Sequence, residues 1–299
     1  MVLLAVYLFA IVVSSWVAWF SMAHGLLIAA FYAVLASVVI VFAGSRIFNN
    51  SSVFDPWWSV APPLLALLFI AGNDGFVISD PGSGTLSIHD NLLRTLAVLA
   101  LTFIYGIRLT WNFLRGWPGL THEDWRYVDF RKSTGPFYWL VSFLGIHFFP
   151  SMMVLSGSLS LWVALAAPVN EIGYLDALAL VLTAGAIFLE AKSDSELRAF
   201  VADKRNAGKT MDRGLWSLSR HPNYLGEILF WWGLYLFALS ANPSLWWVIA
   251  GPVVITLMFL FISIPMIEKR MMIRKGNYKE YKKRVSVLLP LNFRHPDHH

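Results

Sequence analysis

The chain has 299 residues, of which 57% are hydrophobic and 14% charged, with a net charge of +5. A soluble domain averages about 25% charged residues, so the composition excludes an ordinary soluble domain and implies a polytopic membrane protein. With no cysteine, disulfides, thiolate nucleophiles, zinc–cysteine sites and iron–sulfur clusters are excluded as well.

The predicted fold is all-α, a transmembrane bundle of about eight helices, seven to nine being compatible with the usual span of roughly 17–25 apolar residues. In chain order the spans are 2–22, 26–44, 57–72, 91–112, 137–165, 173–191, 222–241 and 245–265. The first has no basic stretch before it and a second span directly after it, so it reads as a span and not as a cleaved signal. The third is short. The fifth is long and contains Pro150, which implies a kinked helix or a span plus a re-entrant piece. No repeat, low-complexity tract or long linker is visible, so residues 1–299 read as a single membrane domain, with N-terminal spans in 1–90 and a core in 91–295.

Loop charge sets the orientation. Segment 73–90 carries Asp74, Asp80 and Asp90 and no Lys or Arg. Segment 113–136 carries Arg115, Arg126, Arg131 and Lys132, and segment 192–221 carries seven basic residues from Lys192 to Arg220. The tail beyond 265 carries nine Lys or Arg residues from Lys269 to Arg294. By the positive-inside rule the two basic loops and both termini are expected on the cytoplasmic side, the inner membrane's if the chain is bacterial. The positive charge thus reads as orientation and contact with membrane lipids, not as nucleic-acid binding. Oligomeric state has no signature in the sequence.

Polar side chains collect at that same side. Asp55 lies in the turn before the third span. Tyr105, Arg108, Asn112 and Arg115 follow at intervals of three, four and three, tracing one helical face. Glu190, Asp194 and Arg198 leave the sixth span at successive i+4 steps. The run Ser219-Arg220-His221-Pro222-Asn223-Tyr224-Leu225-Gly226-Glu227 opens the seventh span. Pro222 suits a first helical turn, where its missing N–H costs nothing. Asn223 and Glu227, four apart, then share one face at the start of a membrane helix, and intramembrane ionisable groups are expensive enough to mark a functional site. Glu268 and Arg270 close the eighth span. Structural readings stand beside these: Arg108 and Arg115 as snorkelling cations, Tyr105 as an interfacial tyrosine, Glu190–Asp194–Arg198 as an ion-pair ladder. No G-x-G-x-x-G, Walker or H-E-x-x-H motif occurs. A nucleotide would therefore be held by side chains from several helix ends and by the N–H groups opening the seventh span.

The segment from Glu190 to Glu227, including Asn206-Ala-Gly-Lys-Thr-Met-Asp-Arg-Gly-Leu-Trp216 and Arg220-His-Pro-Asn-Tyr-Leu-Gly-Glu227, resembles the steroid 5α-reductase family, most closely its bacterial branch. The likeness extends over roughly 95–292. It implies a membrane reductase that uses NADPH to reduce a carbon–carbon double bond conjugated to a ketone, in a 3-keto-4-ene steroid or similar apolar enone drawn from the lipid. It implies that Tyr105 polarises the ketone and that a carboxylate holds that phenol; the family's glutamate has no match here, and Asp55 is the candidate in its place. It implies cofactor contacts from Asp194, Arg198, Asn223 and Glu227, joined by Arg220, His221, Tyr224, Arg108, Arg115, Glu190 and Arg270. No metal is expected. Glu190 stands where the family has asparagine, and Arg270 about where it has histidine. Arg220-His-Pro-x-Tyr-x-Gly, Asn242-Pro243 and Glu268 also resemble membrane methyltransferases that use S-adenosylmethionine, such as isoprenylcysteine carboxyl methyltransferase. A non-enzymatic sterol- or lipid-binding protein is a third reading.

Overall fold

A computed structural model describes residues 2–72 and 91–289. The acidic connector 73–90, expected to be a lid or a simple link, and the tail from 290 lie outside the described residues. Helices account for nearly everything described, and no strand occurs among these residues. Eight helical stretches are long and apolar enough to cross a membrane: α1 (Val2–His24), α2 (Leu26–Ile47), α3 (Ser51–Ala71), α4 (Leu92–Gly116), α5 (Trp125–Ala166), α6 (Tyr174–Ala202), α7 (Pro222–Ala241) and α8 (Pro243–Arg274). A short helix, α9 (Tyr278–Arg284), follows. The protein is an integral, multi-pass membrane protein with the all-α architecture expected of its apolar spans.

The short third span gains a turn at its start. Asn50 accepts a hydrogen bond from the Ser52 N–H at 2.9 Å and caps the 3-10 turn Ser51–Val53, satisfying an N–H the helix cannot. The long fifth stretch is a short helix, Trp125–Thr134, capped by Asp124 and ended by Gly135 at φ 51°. A continuous helical run from Gly135 to Ala166 follows it. Within that run Ser142–Phe148 is π-helical and ends just before Pro150. The same arrangement recurs in α8, where the π-helical Phe259–Ser263 precedes Pro265. Proline has no N–H to give and its ring crowds the carbonyl four residues back. Widening the preceding turn to i→i+5 bonding absorbs that conflict without breaking the helix. The predicted kink is thus a π-widened helix, and no re-entrant piece appears.

The chain divides into two compact units, Met1–Asp176 with Tyr235–Gly251, and Ala177–Leu234 with Pro252–His299. The first is built on α1–α5. Its apolar core includes Tyr7, Val41, Phe54, Trp57, Tyr127 and Ile146. Here α4 meets α3 at Gly106, where a Cβ would lie 2.6 Å from the Ser59 carbonyl oxygen.

In the second unit α6 and α7 run antiparallel along a seam of small residues. A Cβ on Gly226 would meet Glu190 Cβ at 2.7 Å and the Ala186 carbonyl oxygen at 2.8 Å. A Cβ on Gly233 would meet Thr183 Oγ1 at 2.1 Å. Seven residues separate both the two glycines and their two opposite numbers, so the contacts recur every two turns on each helix. Close backbone approach at small residues is how membrane helices gain packing without a hydrophobic driving force.

Candidate functional site

The expected site residues fall into the two units. In the first, Tyr105 is fully buried, and its phenol oxygen accepts a hydrogen bond from Trp58 Nε1 at 3.1 Å. The close approach at Gly106 brings this about, since it sets α4 directly on the turn of α3 that carries Trp58. One turn further along, Thr110 Oγ1 and Ser59 Oγ lie 2.8 Å apart. Arg108 is half-buried and Arg115 exposed at the end of α4.

Asp55 has different partners from the one expected. Its carboxylate accepts a hydrogen bond from the Tyr127 phenol and lies 3.6 Å from the Arg126 guanidinium. Both partners sit in the first turn of α5. Around them the turn before α3 and the loop before α5 are stitched together. The Asn50 amide donates to the Leu120 and His122 carbonyls at 2.9 and 2.8 Å. The Ser51 N–H donates to Glu123 Oε1 at 2.8 Å, and the Asp124 N–H donates to Ser52 Oγ at 2.7 Å. Deeper in, Ser51 Oγ contacts the Tyr138 hydroxyl and Ser142 Oγ at 2.6 and 2.9 Å, and His147 bonds Ser45 Oγ at 2.9 Å.

At the opposite end of α4 from Arg115, Arg94 forms a buried fork–fork pair with Asp176 at 2.6 and 2.9 Å. Asp176 also accepts from Ser240 Oγ at 2.6 Å. Sequence reasoning passed over this pair, although a cation and a carboxylate inside apolar spans are costly enough to demand partners.

In the second unit the α6–α7 seam places Glu190 against Gly226. Since the helices are antiparallel, Asn223, three residues before Gly226, comes level with residues 193–194, about 4.5 Å further along each axis. The i+4 row Glu190, Asp194, Arg198 and the pair Asn223, Glu227 therefore belong to one end of one helix pair. Glu190 and Glu227 are buried, while Asp194, Arg198 and Asn223 are partly exposed. Trp231, itself fully buried, donates its indole N–H to Glu227 Oε1 at 3.0 Å and so fixes the carboxylate's rotamer. The basic loop folds back on α6: the Leu215 N–H donates to Glu196 Oε2 at 2.9 Å, and Trp216 Nε1 donates to the Ser193 carbonyl at 3.0 Å.

Arg220 and His221 are committed elsewhere. Arg220 Nε donates to Glu268 Oε1 at 2.7 Å, and Nη1 donates to the carbonyls of Lys282 and Val285 at 3.1 and 2.5 Å. His221 Nε2 lies 3.2 Å from the same carboxylate oxygen, and Lys282 Nζ lies 2.7 Å from the other. Tyr224 stacks on His221, with 5.4 Å between ring centroids and 9° between planes. These residues make a clamp that holds α9 and the segment after it. Tyr281 completes it, donating to the Trp216 carbonyl at 2.6 Å. Arg270, half-buried on α8, is in this unit too. No cluster of three or more metal-ligating side chains occurs among the described residues.

A protein family described as "Protein of unknown function (DUF1295)" matches residues 41–285. An uncharacterized protein of Schizosaccharomyces pombe is 28% identical over 219 residues, covering 66% of this chain. The match spans 60% of that relative's own length. No solved structure matches the chain.

Proposed function

We propose, from the premise that this chain belongs to the DUF1295 family, that it is a membrane reductase dependent on NADPH and acting on a conjugated carbon–carbon double bond in an apolar enone. The observation that carries the reading is the α6–α7 seam. It sets Asp194 and Arg198 at the same helix end as Asn223 and Glu227, the residues the resemblance implies for the cofactor. The family also includes steroid 5α-reductase-like proteins.

The donor set fits a nucleotide. Asn223, Asp194 and the Trp231-braced Glu227 offer acceptors for a carboxamide and for ribose hydroxyls. Arg198 and the N–H groups of the first turn of α7 offer positive potential for phosphate. Arg220 and His221 do not belong to this set, because the Glu268 clamp uses them. When bound, NADPH supplies the hydride that goes to the β-carbon. Tyr105 donates a hydrogen bond to the ketone oxygen and stabilises the negative charge that grows there. The Trp58 indole, donating to the phenol oxygen, polarises the phenol O–H and strengthens it as a donor.

The clamp also bears on the methyl-transfer alternative, which asks the late glutamate to hold the methyl donor. Glu268 is that residue, and both its oxygens are engaged by Arg220, His221 and Lys282. A thermal-shift experiment on the detergent-purified protein decides between the readings. NADPH is expected to raise the melting temperature through binding to the native state, and S-adenosylmethionine is not. The reverse result would overturn the proposal.

A further inference from the structure

The second unit carries a groove of about 790 Å³ that the proposed reaction does not use. Its floor is the α7 stripe Leu225, Ile228, Leu229 and Trp232, whose i, i+3, i+4, i+7 spacing puts all four on one face over about 10 Å of helix. One wall is α8, where Thr256 Oγ1 holds the Trp232 indole N–H at 3.1 Å. The other wall is the segment 285–289. That segment is tied down by the Arg220 N–H donating to the Ser286 carbonyl at 2.9 Å and by Ser219 Oγ donating to the Val287 carbonyl at 3.3 Å.

Charge enters the groove only at one end. Arg220 and Lys282 are its charged lining residues, and no carboxylate lines it among the described residues. Behind them one carboxylate, Glu268, faces two cations, Arg220 and Lys282, so this end carries a net positive charge. Arg220 is buried and held by Glu268 and the carbonyls of Lys282 and Val285, whereas the Lys282 side chain is 46% exposed. Lys282 lies on α9, which buries Tyr278 and Tyr281 and exposes Lys279, Lys283 and Arg284. An apolar slot ending at an excess cation, beside a short helix with an aromatic inner face and a basic outer one, is complementary to an anionic amphiphile at a membrane interface.

We propose that this groove binds an anionic phospholipid, one acyl chain lying along Leu225–Trp232 and the headgroup phosphate on Lys282. The lipid then bridges α7, α8 and the docked C-terminal segment.

The test uses the full-length protein, stripped of lipid in a neutral detergent and supplied with phosphatidylglycerol or phosphatidylcholine of identical acyl chains. Phosphatidylglycerol is expected to raise the melting temperature by several degrees, with a shift at least threefold larger than that of phosphatidylcholine. Lys282→Gln should abolish this preference. Leu229→Trp, which fills the floor and leaves Lys282 in place, should remove the phosphatidylglycerol shift while keeping the detergent melting temperature. Equal shifts with the two lipids in the wild type, or a full shift in Leu229→Trp, would overturn the proposal. So would a chain ending at Leu289 that binds phosphatidylglycerol where the full chain does not, because the groove would then belong to the chain's own tail.

Discussion

The hydrogen bond from Trp58 to the Tyr105 phenol oxygen separates two roles that a single substitution would blur. Tyr105→Phe removes the proposed donor and keeps the ring, so turnover should fall by about 10²–10⁴-fold, the usual worth of a positioned acid. NADPH binding, read by thermal shift, should stay as in the wild type. Trp58→Phe removes only the brace, and a neutral hydrogen bond is worth about 1 kcal/mol, so a loss of roughly fivefold in kcat is expected. Retention of most activity in Tyr105→Phe would end the phenol assignment. At this scale the sequence was informative about helix faces: the spacing put Asp194 with Arg198 and Asn223 with Glu227 on one face each, and both pairs lie on continuous helices. It paired Asp55 with Tyr105, whereas the carboxylate's phenol partner is Tyr127, 72 residues away, because such a pairing is set by how two loops pack. Arg220 shows the converse. Its place in a conspicuous motif suggested a cofactor contact, and only its partners on α8 and α9 reveal a clamp. Two buried phenols of that clamp give it a pH dependence. Desolvation, then the nearby Glu268 charge for Tyr278 and the nearby Tyr278 for Tyr281, raise both pKa values above the ordinary one. A group whose folded pKa is raised contributes stability that is complete below its unfolded pKa, ~10, and is lost as pH rises through the folded value. Proteolysis at α9 should therefore be slow up to pH ~10 and accelerate above it, with the acceleration blunted in Tyr278→Phe.

Among the elements, the α6–α7 pair is the one whose geometry can be broken most cleanly. Gly226→Val drives a branched side chain into Glu190 and the Ala186 carbonyl, and overpacking of this kind costs about 1–3 kcal/mol. The melting temperature should fall and the NADPH-induced shift should shrink, because Asn223 and Asp194 lose their common level. Gly185→Ala, on α6 where nothing lies within 4 Å of an added Cβ, is the control and should alter neither. The limits of α7 were readable beforehand: Pro222 at the first helical position and the apolar run after it specify a start and a length. The seam was not, since glycines in a membrane helix are common and their meaning depends on what stands opposite. Pro150 announced a disturbance in α5 without its form. A π-widened turn and a re-entrant break begin from the same missing N–H, and spacing alone does not distinguish them.

For the molecule as a whole, the span count was the most legible property, since it follows from apolar length alone, while the division into two compact units has no counterpart in composition. Glu268→Gln tests the clamp at this scale. It leaves Arg220 buried without its counter-charge, a change that typically costs about 3–5 kcal/mol, and α9 should become susceptible to protease while Tyr105 chemistry is untouched in whatever fraction stays folded. Orientation rests on the basic loops: a tag after Gly208 is expected to be reached from the cytoplasmic side only, and labelling from the other side would invert the topology. The seam between α6 and α7 also bears on how the chain is made. α7 is the least apolar of the eight spans, and it begins with an amide and a carboxylate that hydrocarbon penalises when they are alone. Its match to α6, glycine against threonine and glycine against glutamate at two-turn intervals, covers that end with a second helix only when both are present. During synthesis, then, α6 and α7 are expected to partition into lipid as one hairpin: α7 alone behind a reporter should be translocated in large part, and restoring α6 ahead of it should retain it.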